Sequence, residues 1–264
     1  MSDQTRKNYL ITGSSGIAAE TARQAVQVGA RIFVVGNDEA SCAALVGELN
    51  QNGTADYAVA NLTDEEQTEA AMNVFTEKFG RLDSLFNVVG ISGRRYGDGA
   101  VHECSLVGWN TTFEANVQSV FLMSRAALRV MLGQALDKNG LRGAILNMGS
   151  ILSFSPEPQH FATHAYAASK AAIVGLSKTM ATYYVAHKIR VNVIAPSLVK
   201  TPMSRRAQTE TAILDYMKIK HPLGEEMLEA ADVARLALFL MSDEARRITG
   251  EVFKIDAGWS VSNA

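Results

Sequence analysis

Tyr166 and Lys170 stand four residues apart in the run His164-Ala165-Tyr166-Ala167-Ala168-Ser169-Lys170. The alanines favour a helix. Residues four apart on a helix share one face, one turn apart. An ammonium beside a phenol favours the ionised phenol, so the pair can exchange a proton with a hydroxyl or carbonyl. Tyr-x-x-x-Lys alone is weak evidence, because helices are rich in lysine. Its meaning depends on the elements that come before it.

A second chemical stretch lies near the start. Thr12-Gly13-Ser14-Ser15-Gly16-Ile17-Ala18 separates a short apolar run from an amphipathic one. A glycine turn between a strand and a helix is the setting of a dinucleotide fingerprint. Gly13 suits the tight turn. Gly16 lets the backbone approach a pyrophosphate, whose charge the helix N-terminus favours. Ala18 stands where a third glycine is often found, so helix and strand should pack slightly less closely. After the second strand, Gly36 and Asn37 occupy positions where an acid would bind ribose or an Arg a 2′-phosphate. Neither rule is met. Asn37 suits neutral hydroxyls, Asp38 would repel a phosphate, and no Lys or Arg adjoins them. NAD is therefore expected over NADP. Asn61 and Leu62 should reach the adenine, and Asn87, Val88 and Gly90 should line the same groove.

The elements that position these residues alternate. Strands are expected at 9–12, 31–35, 55–60, 85–89, 144–148, 190–194 and 252–255. Helices are expected at 16–28, 40–50, 64–79, 106–136 with a break near its start, 165–186, 202–218 and 228–241. Strands alternating with helices imply βαβ units. Strands apolar on both faces imply a sheet between helix layers. The expected fold is α/β: a single-domain Rossmann fold, 1–264, whose doubly wound seven-stranded parallel sheet carries helices on both faces.

The totals narrow the function. The 264 residues carry a net charge of −2, with 47% hydrophobic and 20% charged residues. That balance has no nucleic-acid or anionic-membrane signature. No long uncharged apolar run is present to span a membrane. Residues 1–7 lack the apolar core of a signal peptide. Cys42 and Cys104 match no metal or redox spacing, and no metal is expected. A reduced, cytoplasmic setting fits.

In order along residues 9–259, these stretches resemble the short-chain dehydrogenase/reductase (SDR) family. Thr12 to Ala18 is similar to its glycine turn, and Asn87-Val-Val-Gly90 to its Asn-Asn-Ala-Gly stretch with two changes. Asn116, the strand end Asn147-Met-Gly-Ser150, Tyr166 with Lys170, Arg190 to Pro196 and Ile248 to Asp256 match its later features. Each is weak alone; in this order they are specific. The resemblance implies a hydride-transferring oxidoreductase acting on a small alcohol or carbonyl compound. Tyr166 would be the general acid/base. Lys170 would lower its pKa and hold the nicotinamide ribose. Ser150 would bind the substrate oxygen, and Asn116 would support a proton-returning water chain. Pro196, Val199 and Thr201 would contact the nicotinamide, and 197–225 would form a substrate lid. A homotetramer or dimer is implied, through the helices at 106–136 and 165–186.

Two departures stand out. Ser197 replaces a Gly that commonly follows the Pro. Ser150 to Tyr166 spans 16 positions, about three more than usual for the family. Ser153 is thus a second candidate serine, although strand geometry favours Ser150. Arg94 and Arg95 could bind a carboxylate or phosphate, or belong to a solvated loop. His160 or His164 could line the pocket. Trp109 reads as a packing residue. Two alternatives remain: a ketoreductase using NADPH on carrier-bound acyl chains, with Arg94, Arg95, Arg205 and Arg206 facing the carrier, and a non-catalytic dinucleotide sensor.

Overall fold

The computed structural model describes residues 7–262. Seven strands form one parallel sheet: β1 Asn8–Thr12, β2 Arg31–Gly36, β3 Thr54–Val59, β4 Ser84–Asn87, β5 Gly143–Met148, β6 Ile189–Pro196 and β7 Val252–Ile255. Their order is β3-β2-β1-β4-β5-β6-β7. The helices are α1 Gly16–Gln27, α2 Glu39–Leu49, α3 Glu65–Phe79, α4 Leu106–Phe113, α5 Ser119–Gly133, α6 His164–Tyr184, α7 Arg205–Thr209, α8 Thr211–Lys220 and α9 Ala230–Met241.

Side chains alternate across a strand, and both faces here are apolar. Tyr9, Ile11, Ile32, Val34, Leu146 and Met148 enter one core, with α1, α2 and α9. Leu10, Phe33, Val35, Leu85 and Ile145 enter the other, with α3, α5 and α6. The chain winds outward from β1 to β3, then crosses to β4 on the other side of β1. That reversal opens a crevice beyond the carboxyl ends of β1 and β4, where ligands bind in such sheets.

Several boundaries differ from the expected ones, each for a local reason. β4 stops at Asn87 because Thr12 Oγ1 accepts from Val88 N at 2.9 Å and Val89 N at 3.2 Å, drawing both out of the ladder. The helix expected at 106–136 ends at Gly133. Gln134 turns extended, and its amide brackets Leu82, accepting from its N–H and donating to its carbonyl. The expected break is a π segment, Glu114–Gln118, between α4 and α5. α9 starts at 230 rather than 228 because Leu228 N donates to Leu198 O and Glu229 takes the cap. The helix expected at 202–218 is three pieces: a 3-10 turn Pro202–Ser204, α7 and α8.

Candidate active site

α6 begins beside the carboxyl end of β5. Its cap residue, Thr163, makes no side-chain bond to the first turn. Asp98 does that work from 67 positions away: its carboxylate accepts from Ala165 N and Tyr166 N, each at 2.9 Å. An acid at a helix N-terminus is favoured by both the free amides and the dipole. Asp98 is buried and fixes where the helix presents Tyr166. The chain order holds no local signal for this role, since the contact is purely tertiary.

One turn on, Lys170 is buried and donates to Met148 O at 2.9 Å. Its Nζ lies 5.8 Å from the Tyr166 ring centroid. Burial pushes the ammonium down to about 8. Part of Tyr166 reaches solvent, but its phenol is deep enough that burial raises its pKa, opposed by a hydrogen bond with Ser150. The cofactor-free phenol is thus shifted upward by desolvation, and Ser150 is the partner that opposes the shift.

Ser150 caps a short 3-10 turn, Ile151–Ser153, and its Oγ accepts from Leu152 N at 3.2 Å. So Ser150, rather than Ser153, meets Tyr166. The Ser153 hydroxyl is buried without a partner among the described residues. Asn116 sits in the π segment, fully buried. Its Oδ1 accepts from Ile91 N at 2.7 Å, and its Nδ2 donates to Ile91 O and Ser169 Oγ. A Cβ on Gly90 would lie 2.7 Å from Asn116 Oδ1 and 3.4 Å from Lys170 Nζ. The missing side chain at 90 thus lets Asn116, Lys170 and the end of β4 converge. The Asn116 side chain is spent on these bonds, so it has no spare donor for a water chain.

On the other side of the crevice, Gly13 turns at φ 99°, a left-handed conformation that favours glycine. Gly16 opens α1 at φ 55°, and a Cβ there would meet the Thr201 side chain at 3.1 Å. The glycine turn and the segment after β6 therefore face each other. Ser15 caps α1 without a side-chain bond, so no side chain of its cap competes for the first-turn amides. A pyrophosphate fits that end. Ser14 and Ile17 flank it; Ser14 also bonds Cys42 Sγ. Cys42 fills the space where a residue 36 side chain would go, 2.8 Å from a Cβ at Gly36. Asn37 is exposed at the crevice rim, while the Asp38 carboxylate caps α2 at Ser41 N.

Three of the residues expected along the cofactor groove make contacts within the chain. Asn87 does not point into the crevice; it donates to Ser124 Oγ and Asn147 Oδ1 inside the fold. Leu62 is buried in the second core. Asn61 Oδ1 accepts from Thr63 N and Oγ1. Pro196 ends β6, and Val199 is buried with its carbonyl accepting from Ser204 Oγ. His164 Nδ1 accepts from Val101 N at 3.0 Å, and so helps seat the loop after β4. Trp109 stacks on Phe113 at 4.7 Å, as a packing residue does.

A family model described as enoyl-(acyl carrier protein) reductase matches residues 11–260. Momilactone A synthase of Oryza sativa subsp. japonica is 35% identical over 255 residues, covering 96% of this chain and 89% of that protein. The 2-keto-3-deoxy-L-fuconate dehydrogenase of Xanthomonas campestris pv. campestris is 32% identical, covering 96% and 80%. Among solved structures, a 3-ketoacyl-(acyl-carrier-protein) reductase from Brucella melitensis, complexed with NADH, superposes with a TM-score of 0.86. It shares 28% identity and covers 97% of this chain and 99% of that one. This chain belongs to the short-chain dehydrogenase/reductase family. It is an NAD(P)-dependent oxidoreductase that transfers hydride between a nicotinamide cofactor and an alcohol or ketone.

Proposed function

We propose that Tyr166 is the general acid/base for a secondary alcohol or its ketone, with Ser150, Lys170 and Asn116 as its partners. The observation that carries this reading is the Ser150–Tyr166 hydrogen bond above a buried Lys170. The bound nicotinamide would accept or donate the hydride. Ser150 donates to the substrate oxygen and orients it. Tyr166 passes a proton to or from that oxygen. Ionising the phenol alone, or keeping the ammonium alone, is opposed by burial; together they form a neutral pair in which each charge supports the other. Lys170 has donors beyond its bond to Met148 O for a ribose hydroxyl. Asn116 acts as a brace between the loop after β4 and α6, and any water chain would use the main chain of the π segment. Tyr166→Phe should remove nearly all turnover while cofactor binding persists; retained turnover refutes the role.

The cofactor we propose is NAD. Gly13, Ser14, Ser15, Gly16 and Ile17 would hold the pyrophosphate. Gly36, Asn37, Asn61 and Leu62 would surround the adenosine. Pro196, Val199 and Thr201 would reach the nicotinamide end. Two hydrogen bonds from Ser41 keep the Asp38 carboxyl below its usual range, so it stays charged and disfavours a 2′-phosphate. Titration with NADH and NADPH tests this; tighter NADPH binding overturns it.

Residues 197–225 are proposed as the substrate lid. A homo-oligomer is proposed through α4, α5 and α6, where Leu106, Val107, Phe121, Leu132 and Tyr183 are exposed. Sedimentation showing a stable active monomer counts against it. A cytoplasmic setting is supported by two unpaired cysteines. Among the described residues, no helix is long and apolar enough to cross a membrane.

A further inference from the structure

The carbonyl of His160 accepts from two arginines at once. Arg94 Nη2, in the loop after β4, donates at 2.7 Å, and Arg206 Nη2, in α7, donates at 3.1 Å. Two guanidinium groups therefore converge on one oxygen. Arg206 has a carboxylate partner: its Nη1 donates to Glu210 at 2.7 Å. Arg94 makes no salt bridge among the described residues. The nearby acids are engaged elsewhere. Asp98 is bound to the amides of Ala165 and Tyr166. Glu157 accepts from Gln159 N and His160 N, each at 2.7 Å.

Two exposed guanidinium groups drawn to one carbonyl repel each other, and an anion joining them relieves that repulsion. Burial, and then the charge of Arg206, lower the Arg94 pKa, while Asp98 and Glu210 offset part of that effect. Each guanidinium has five N–H donors. After the bonds above, enough remain for a carboxylate to take paired bonds from both.

The position matters as much as the charge. His160 lies in the insert that leads to Tyr166. Arg94 lies in the same loop as Asp98, which seats Tyr166. Arg206 lies in the segment proposed as the lid. The three elements enclosing the space before the phenol thus meet at this pair of arginines. We infer that Arg94 and Arg206 form an anion subsite, and that the substrate is a small hydroxy or oxo acid whose carboxylate binds there while its hydroxyl or carbonyl meets Ser150 and Tyr166. This rests on the reading of Tyr166 as the reacting acid/base. A small acid fits better than an acidic carrier protein, because the two guanidinium groups converge on one carbonyl oxygen rather than spread over a surface.

The test compares pyruvate, acetoacetate and laevulinate with their methyl esters, in the full-length enzyme with NADH. The expected result is a higher kcat/KM for one acid than for its ester. Arg94→Gln and Arg206→Gln should each shrink that acid-to-ester ratio by about tenfold to a hundredfold. Arg94→Lys should restore part of it. If both rates fall together and the ratio holds, the arginines only fasten the lid, and the inference is overturned. It is also overturned if no acid is preferred, or if a carrier-bound oxoacyl chain outperforms every free acid. If neither acids nor esters turn over, calorimetric binding of laevulinate against methyl laevulinate decides the subsite, while the Tyr166 reading is judged separately by Tyr166→Phe. Tighter acid binding, lost in both Gln variants, supports it; equal binding overturns it.

Discussion

Lys170 offers a stability experiment whose size can be worked out beforehand. Its folded pKa is about 8, against an ordinary 10.5, and burial is the cause. Below pH 8 both folded and unfolded chains hold the proton, and the folded chain bears the full cost of a buried ammonium. Between 8 and 10.5 the unfolded chain keeps the proton and the folded chain releases it, so stability rises with pH. Above 10.5 both are neutral and the cost is gone. The difference of about 2.5 units corresponds to about 3 kcal/mol. Lys170→Met removes the titration. The cofactor-free variant should be more stable than the parent near pH ~7, by about 3 kcal/mol less roughly 1 kcal/mol for the lost bond to Met148 O. The gap should close or reverse by about 3 kcal/mol near pH ~10.5. Denaturant unfolding at matched protein concentration measures this, with concentration fixed because a homo-oligomer is proposed. A gap that does not change with pH would show that Lys170 is not held against its charge, and the argument for a self-neutralising Tyr166–Lys170 pair would fail.

Other outcomes follow from single contacts. Ser150→Ala should lower kcat about a hundredfold or more. Ser153→Ala should keep kcat within a few-fold and, by removing a buried hydroxyl without a partner, leave stability equal or higher by about 1 kcal/mol; a reversed pattern would reassign the serine. Gly36→Asp should cost about 1–3 kcal/mol because its Cβ meets Cys42 Sγ, and adding Cys42→Ala should restore the melting temperature and sharpen preference for NADH. Unchanged stability in the single variant refutes the packing argument. Asp98→Ala should lower stability by about 1–3 kcal/mol, since two buried amides lose their acceptor, and should lower kcat by shifting Tyr166. Asp98→Asn should fall between. A variant that melts and turns over like the parent would remove Asp98 from the site.

Much of the architecture was readable from local order. Short continuous apolar runs with β-branched residues mark strands whatever lies nearby, and Gly13 and Gly16 mark a turn because few other residues take those angles. Tyr166 and Lys170 share a face by helix geometry alone. The order of these features was enough to expect the sheet, the crevice and the reacting phenol. The boundaries of β4 and of the long helix were not readable, because Thr12 and Gln134 set them from elsewhere in the chain.

The remaining questions were tertiary. Which serine meets Tyr166 depends on how the insert after Ser150 turns, and no spacing rule measures that. Asp98 is 67 positions from the amides it caps, so its role exists only once β4 and β5 lie side by side. The direction of the Tyr166 shift is tertiary as well: sequence shows the nearby lysine, but desolvation depends on everything packed around the phenol. Arg94 and Arg206 are 112 positions apart, and only folding brings them to one carbonyl. The sequence by itself determined the scaffold and placed Tyr166 and Lys170 on one helix face, because those follow from short-range geometry. The tertiary structure decided how deeply that pair is buried, which serine lies against Tyr166 and which charges meet at His160, because burial and long-range convergence are properties of the folded whole.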